Sequence, residues 1–270
     1  MTVFYAAEIV GKAGLVAFHQ GLSALKEQLS KEQRRIDFVV ANADGATAGG
    51  GLGRGHAAYL RKLGANAVTL GDFSFYKKDL TQNLDKLPFV IRPYNLVSEA
   101  PGRGSRVFNA GGGNRVAVVQ LLGQNGFAKL HGENPYQLAV PLLEKLRRET
   151  PYVLLDFHAL ATAEKKTLFA LVDGYCSAAI GSHTRVQTTD NRVMRGGTAC
   201  ITDAGRTGCR MSVGGLVPEI AVHAYLTGIP AWQKEAETDC ALQGVLVEIG
   251  EKGQATAIDR IDLPLPFNGG

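Results

Sequence analysis

Cysteine is sparse and scattered. Cys176, Cys200, Cys209 and Cys240 are the four in the chain, and no Cys-x-x-Cys pair occurs among them. That spacing excludes a zinc knuckle and argues against a disulfide framework, so free thiols in a reducing compartment are expected. No apolar run approaches the roughly 20 residues that a membrane span requires. The opening stretch "MTVFYAAEIVGKAG" has no basic start and is interrupted by Glu8, so it reads as a first strand rather than an export signal. A cytoplasmic location and no membrane partner are therefore expected. Excess charge of one sign is missing too: 29 basic residues against 25 acidic leave a net charge of +4. Without a polybasic tail this is a weak pull on anions, and "KEQRR" at 31–35 reads as a solvated helix end.

What is there is an alternation of short apolar runs with amphipathic stretches, the pattern of an α/β fold. Runs at 3–7, 38–41, 67–70, 116–122, 152–155 and 176–180 read as strands. Residues 13–28, 57–63 and 135–148 read as helices, the last with Leu138, Leu142 and Leu146 on one face. The Gly-rich stretch at 98–121 reads as an inserted hairpin, followed later by a helix at 218–226 and strands at 244–249 and 256–262. No repeat and no linker divides the chain, so one domain over 1–270 is expected, with 263–270 as a frayed tail.

In open α/β sheets, ligands gather outside the carboxyl ends of the strands. Here the residues just past the runs are Glu8, Asp44, Asp72, His158 and His183, each a carboxylate or an imidazole. Singly, an Asp after a strand is as readily a turn former or cap. Together, their order suits convergence on one metal or phosphate site. His19, His56, His131 and His223 lack this context and read as structural or exposed. In "AAIGSHTRVQTTD" at 178–190, His183 and Arg185 stand two apart, which in extended chain places them on one side. An imidazole can ligate a metal; a guanidinium, with no lone pair to give, can only repel one.

The order of "EIVGKAG", "DFVVANADGATAGG", "AVTLGDF", "RPYN", "PGRG", "VLLDFHA", "GSHTRVQT", "GGTACITDAGRTG" and "GVLVEI" resembles the calcineurin-like metallophosphoesterases of the YmdB type, nearly end to end. The resemblance implies a four-layer α-β-β-α sandwich of two packed mixed sheets and an activity on 2',3'-cyclic nucleotides or related phosphoesters. It also implies homo-oligomers, whose symmetry nothing in the sequence sets. The departures fall on the chemistry. Glu8 stands where the family has Asp, and "NADG" puts Asp44 and Gly45 where "NGEN" supplies a bridging Glu and an Asn. "GDF" puts Asp72 and Phe73 where "GNH" supplies an Asn and a catalytic His. "DFHAL" keeps His158, with Leu160 where the family has an acid. "SHTR" keeps His183 and has Arg185 in place of the second His.

Sorted by metal, the resemblance implies one intact ligand set, Asp44, Asp72, His158 and His183. The other set, Glu8, Asp44, Gly45 and Arg185, is broken. The expectation is one divalent transition metal (manganese, iron or zinc) or none, with Arg185 in the other ion's place, neutralising Glu8 and Asp44 and available to a phosphate oxygen. Asn42 and Thr184 are expected to orient ligands from behind. Three functions remain open: a slow phosphodiesterase or phosphatase acting on a phosphate-containing small molecule or nucleotide; a non-catalytic relative binding a nucleotide, RNA or a protein; and a scaffold whose old site is packed shut. "GGGLGRG" at 49–55 reads as a loop beside the site rather than a phosphate-binding loop, and Arg54, Arg103 and Arg206 are candidates for a positive rim.

Overall fold

The computed structural model describes residues 1–127, 130–232 and 234–265. In chain order the first elements are β1 (Thr2–Ala6), β2 (Glu8–Ile9), α1 (Gly11–Lys31), β3 (Phe38–Asn42), α2 (Arg54–Leu63), β4 (Ala67–Thr69), α3 (Lys78–Thr81) and β5 (Val90–Ile91). Next come β6 (Ser105–Asn109), β7 (Arg115–Leu122), α4 (Pro135–Arg147), β8 (Tyr152–His158), α5 (Thr162–Val172), β9 (Ala178–Ser182), β10 (Arg192–Val193) and β11 (Ala199–Ile201). The chain closes with β12 (Arg206–Cys209), α6 (Pro218–Thr227), β13 (Cys240–Ile249) and β14 (Ala255–Pro264).

The strands form two mixed sheets. One runs β2-β12-β13-β1-β3-β4-β5, with β14 also paired to β13; the other runs β10-β11-β9-β8-β7-β6. The aliphatic inner faces of both, among them Val3, Val40, Val118, Leu154, Ile180 and Val245, form one buried cluster between the sheets. The outer face of the first sheet is covered by Leu15, Phe18, Leu22 and Leu25 of α1 and Leu60 of α2. Leu142, Leu143 and Leu146 of α4 with Leu168 and Phe169 of α5 cover the second. Helix, sheet, sheet and helix thus stack as four layers. Local chemistry agrees: Asn134 caps α4 by accepting the Tyr136 N–H, with Pro135 beside it, and α2 stops at Gly64 in the left-handed region.

Four details differ from the sequence reading. Glu8 does not end the first strand but opens β2, which pairs parallel with β12 through Arg206 opposite Glu8. The strand expected at 176–180 is β9, shifted to end on Ser182. Helix α5 was not anticipated, because Glu164 and Lys165 are buried on its inner side and blur the apolar spacing. Leu263 and Pro264, expected to fray, pair with Leu242 and Ala241 of β13; residues 266–270 lie outside the described residues.

Among the described helices, none is long and apolar enough to cross a membrane. All four cysteines are free, three buried and Cys240 partly exposed. Burial pushes the Cys176 thiol up to about 12. Burial raises the Cys240 thiol as well, so access decides: N-ethylmaleimide is expected to label Cys240 alone in the folded protein and every cysteine after denaturation. Mass spectrometry of the adducts reads the difference.

Candidate active site

The loops after β3 and β4 of one sheet meet the ends of β8 and β9 of the other. Two charge clusters result. In the first, Arg185 reaches into the interior. Its Nε and Nη2 donate to Glu8 Oε1 at 2.9 and 2.6 Å. Nη2 also donates to the Gly49 carbonyl at 3.0 Å, and Nη1 to that of Gly214 at 2.9 Å. Side-chain exposure is 12% for Arg185 and 1% for Glu8, so this is a buried pair. Burial works against the Arg185 charge, but Glu8, with the charges of Asp44 and Asp72, outweighs it and leaves the guanidinium pKa above its ordinary value.

Gly45 makes the pair fit. A Cβ built there would lie 2.8 Å from Arg185 Nη2 and 3.0 Å from Glu8 Oε1. The departure at 45 and the departure at 185 are therefore one spatial substitution. A metal does not fit in that place, which holds a cation already and has lost the side chain at 45. Glu8 Oε2, buried without a partner, is the acceptor left over.

The second cluster keeps its donors. Asp72, His158 and His183 form the one group among the described residues whose three ligand atoms all lie within 4.8 Å of one another. His158 Nε2 is 2.9 Å from Asp72 Oδ1 and 3.0 Å from His183 Nδ1, and His183 Nδ1 is 3.5 Å from Asp72 Oδ1. Burial pushes the Asp72 carboxyl up, yet the two imidazoles outweigh it and hold it well below the usual carboxylate range. Asp44 lies at the border, with Oδ2 3.8 Å from His158 Nε2. Its oxygens accept the Gly71 and Phe73 N–H groups at 2.6 and 3.2 Å, so backbone supplies its hydrogen bonds and Arg185 acts on it through charge alone. Burial, then the charges of Glu8 and Asp72, push the Asp44 carboxyl well above its ordinary value.

Behind His158 sits a relay that the sequence reading missed. Ser182 Oγ donates to Asp156 Oδ1 at 2.8 Å and lies 3.2 Å from His158 Nδ1. Asp156 Oδ2 accepts from Tyr5, Thr69 and Asn42 at 2.7, 2.6 and 3.3 Å, tying the two sheets together. With Asp156 ionised, the one Ser182 hydrogen goes to it, so Ser182 accepts the proton on His158 Nδ1. In the neutral ring the Nε2 lone pair then faces a carboxylate oxygen and a second imidazole at hydrogen-bond distance, whereas in the imidazolium Nε2 donates to Asp72, the bond that lowers the Asp72 carboxyl. Such a convergence of electron-rich atoms calls for a positive charge, and the donor set of two nitrogens and an oxygen suits a divalent transition metal. Ser182→Ala should destabilise the fold by ~1–3 kcal/mol, since it strips a partner from each buried neighbour. Urea denaturation measures this.

His183 and Arg185 do not share an extended strand. Both lie at positive φ, +101° and +60°, so the chain turns and sends one to Asp72 and the other to Glu8. Strain of this kind is tolerated where surroundings hold it, commonly at functional sites. Thr184 between them anchors the turn, its N–H and Oγ1 bonding Asp203 Oδ2 at 2.9 and 2.7 Å beside the buried Lys165. Asn42 also accepts the Asp44 N–H at 3.2 Å.

Phe73 presents a half-buried ring to Tyr76, centroids 4.6 Å apart, and offers no proton. Phe127, unforeseen, stacks on His158 at 5.8 Å and meets His183 edge-on at 5.1 Å. The 49–55 loop does border the site through Gly49. The expected positive rim does not assemble: Arg206 is spent on the carbonyls of Cys209 and Arg185. Arg54 is exposed at the start of α2, and Arg103 lines a separate cleft of about 410 Å³ with Tyr94, Arg106 and Lys145.

Comparison with known proteins follows the same geometry. Residues 4–261 match the sequence model of the YmdB-like protein family. The chain belongs to that family. A Bacillus subtilis relative named 2',3'-cyclic-nucleotide 2'-phosphodiesterase is 33% identical over 262 residues, covering 97% of this chain and 96% of its own. A Mycoplasma pneumoniae crystal structure described as a novel phosphatase superposes with a TM-score of 0.88 at 29% identity, over 98% of this chain and 93% of that one. The 5'-nucleotidase precursor of Thermus thermophilus shares the fold alone, with a TM-score of 0.59 at 14% identity over 98% of this chain and 54% of that one. This YmdB-like chain thus has the calcineurin-like phosphoesterase fold.

Proposed function

We propose that this YmdB-like chain is a divergent phosphoesterase, slow toward phosphodiesters or phosphomonoesters of small molecules, cyclic nucleotides among them. Its site holds a single divalent ion, manganese, iron or zinc, on Asp72, His158 and His183 with Asp44 alongside. The observation that carries this reading is the asymmetry of the two clusters: one keeps convergent donors, and the other has Arg185 hydrogen-bonded to Glu8 over Gly45.

An ion held there supplies positive charge to a transferring phosphoryl group. The chain's own residues do the rest. Ser182 and Asp156 fix the His158 ring so that Nε2 faces the site. Arg185 adds a permanent charge, although four of its five N–H donors are already taken, leaving one for a phosphate oxygen. That narrows its expected phosphate-holding role to electrostatics at short range. Phe73 supplies neither acid nor base, which is the reason for slow turnover.

The test pairs metal content with turnover. Protein supplied with manganese should carry one ion per chain and hydrolyse 2',3'-cyclic AMP, and His158→Ala should lose both. Two ions per chain would refute the arginine substitution. A bound ion without turnover would favour the second reading, in which Phe73 marks a non-catalytic relative that binds a nucleotide, an RNA end or a protein.

A further inference from the structure

The cleft of about 410 Å³ that Arg103 lines shares no residue with either charge cluster. One wall is α4 beside β6, the edge strand of the second sheet. Leu142, Lys145, Leu146 and Glu149 recur at three- and four-residue spacing, so they share one face of α4 and the turn that follows it. The two leucines pack into the core, and the lysine and glutamate are exposed. The other wall is a loop, and the loop is held. The buried Arg92 side chain donates to the carbonyls of Pro93, Ala100 and Pro101, and its backbone N–H donates to the Arg103 carbonyl at 2.9 Å. A Cβ at Gly104 would overlap the Tyr94 backbone, so glycine there lets "PGRG" lie against "RPYN". Tyr94 and Arg103 thereby stand together at the cleft.

The positive charges of this cleft are unspent. Arg103, Arg106 and Lys145 form no ion pair and no side-chain hydrogen bond with the described residues; Arg106 lies 5.9 Å from the Phe108 ring. Elsewhere Arg34 pairs with Glu32 and Glu248, and Arg35 with Asp37. Glu149 is the carboxylate of the lining, so three cations leave a formal excess of two positive charges. A phosphomonoester carries about −1.5 to −2 at pH 7 and offers three acceptor oxygens. Next to the cations Tyr94 presents a ring that is 37% exposed, and any nucleobase has a face to stack on it. The volume falls within the roughly 300–1,000 Å³ of small-molecule sites. We propose that this cleft is a second binding site, for a nucleoside monophosphate. Arg103, Arg106 and Lys145 hold the phosphate, Tyr94 takes the base, and Glu149 accepts from a sugar hydroxyl. The assignment stands apart from the hydrolase reading, because none of Asp72, His158 and His183 takes part.

Isothermal titration calorimetry of the full chain in EDTA, with AMP as the probe, tests this without any turnover. The expected result is one AMP per chain, undiminished in His158→Ala and weaker at high salt, which screens exposed charges. Arg103→Glu with Lys145→Glu should weaken AMP more than tenfold; both positions are exposed, so circular dichroism and the urea midpoint should not change. Tyr94→Ala should weaken AMP by ~5–150-fold, the effect of losing one stacked base, and leave inorganic phosphate binding as it was. No binding of AMP would overturn the proposal, as would AMP binding that survives the double charge reversal or is lost in His158→Ala. Adenosine or inorganic phosphate binding as tightly as AMP would also overturn it. A short oligouridylate binding more tightly than AMP would overturn it in favour of an RNA strand.

Discussion

Arg185→Met is expected to lower the stability of the fold by about 3–5 kcal/mol, the effect of leaving a buried charge without its partner. For a chain of this size that corresponds to roughly 10 °C or more in the thermal midpoint. The reason is local. Glu8 is 1% exposed, Arg185 supplies both hydrogen bonds to its Oε1, and Oε2 has none. The companion variant decides the cause. Glu8→Gln with Arg185→Met removes both charges and should recover most of the loss, because an apolar-neutral replacement of a buried pair is commonly tolerated. If the single variant melts like the parent, Glu8 is compensated by something other than the guanidinium, and the account of the first cluster fails. Gly45→Ala is the smaller version of the same test, pressing a methyl group against the pair.

Phe73→His carries the largest expected effect on turnover. A positioned acid or base contributes roughly 10²–10⁴-fold, and position 73 is placed to supply one, since its own N–H bonds Asp44. The gain should appear in kcat, and Phe73→Ala should not reproduce it. The sign of the pH dependence follows from the role. An imidazolium that protonates a leaving group is lost as pH rises through about 6.5, so the gained rate should decline above that pH. Equal rates for Phe73→His and the parent would show that proton transfer is not what limits this site.

Much of this was legible in the chain. Alternation gave the α/β class and most strand positions, the family resemblance implied the four layers, and the residues after the strands led to Glu8, Asp44, Asp72, His158 and His183, all of which the fold gathers. Identity of a residue type was enough for Arg185, because a guanidinium cannot ligate and a buried one must find an anion. Its partner choice was not legible. The family resemblance suggested that Arg185 would neutralise Asp44 as well; it does so by charge alone, because the positive φ at 183 and 185 and the N–H groups of Gly71 and Phe73 divide the hydrogen bonds of the two carboxylates between different donors.

The relay was missed for a physical reason as well. Asp156 lies inside an apolar run, and a charge there must be paired across the sheets to Tyr5, Thr69 and Asn42, contacts separated by 151, 87 and 114 residues. A signal existed: Asp156 and His158 are two apart on β8 and so share a face. Phe127 left no such trace, since one aromatic in a polar loop does not announce which rings it will meet. The exposure of Tyr225 and Leu226 was equally silent, because α6 has the composition of a core helix.

The guanidinium over Gly45 also changes what the environment can take away. An ion is captured from the surroundings and a chelator can remove it; a side chain is synthesised with the polypeptide and stays. One of the three positive charges in this centre is thus beyond the reach of metal starvation. Treatment with EDTA should empty the Asp72–His158–His183 cluster while Glu8 remains neutralised and the sandwich remains folded.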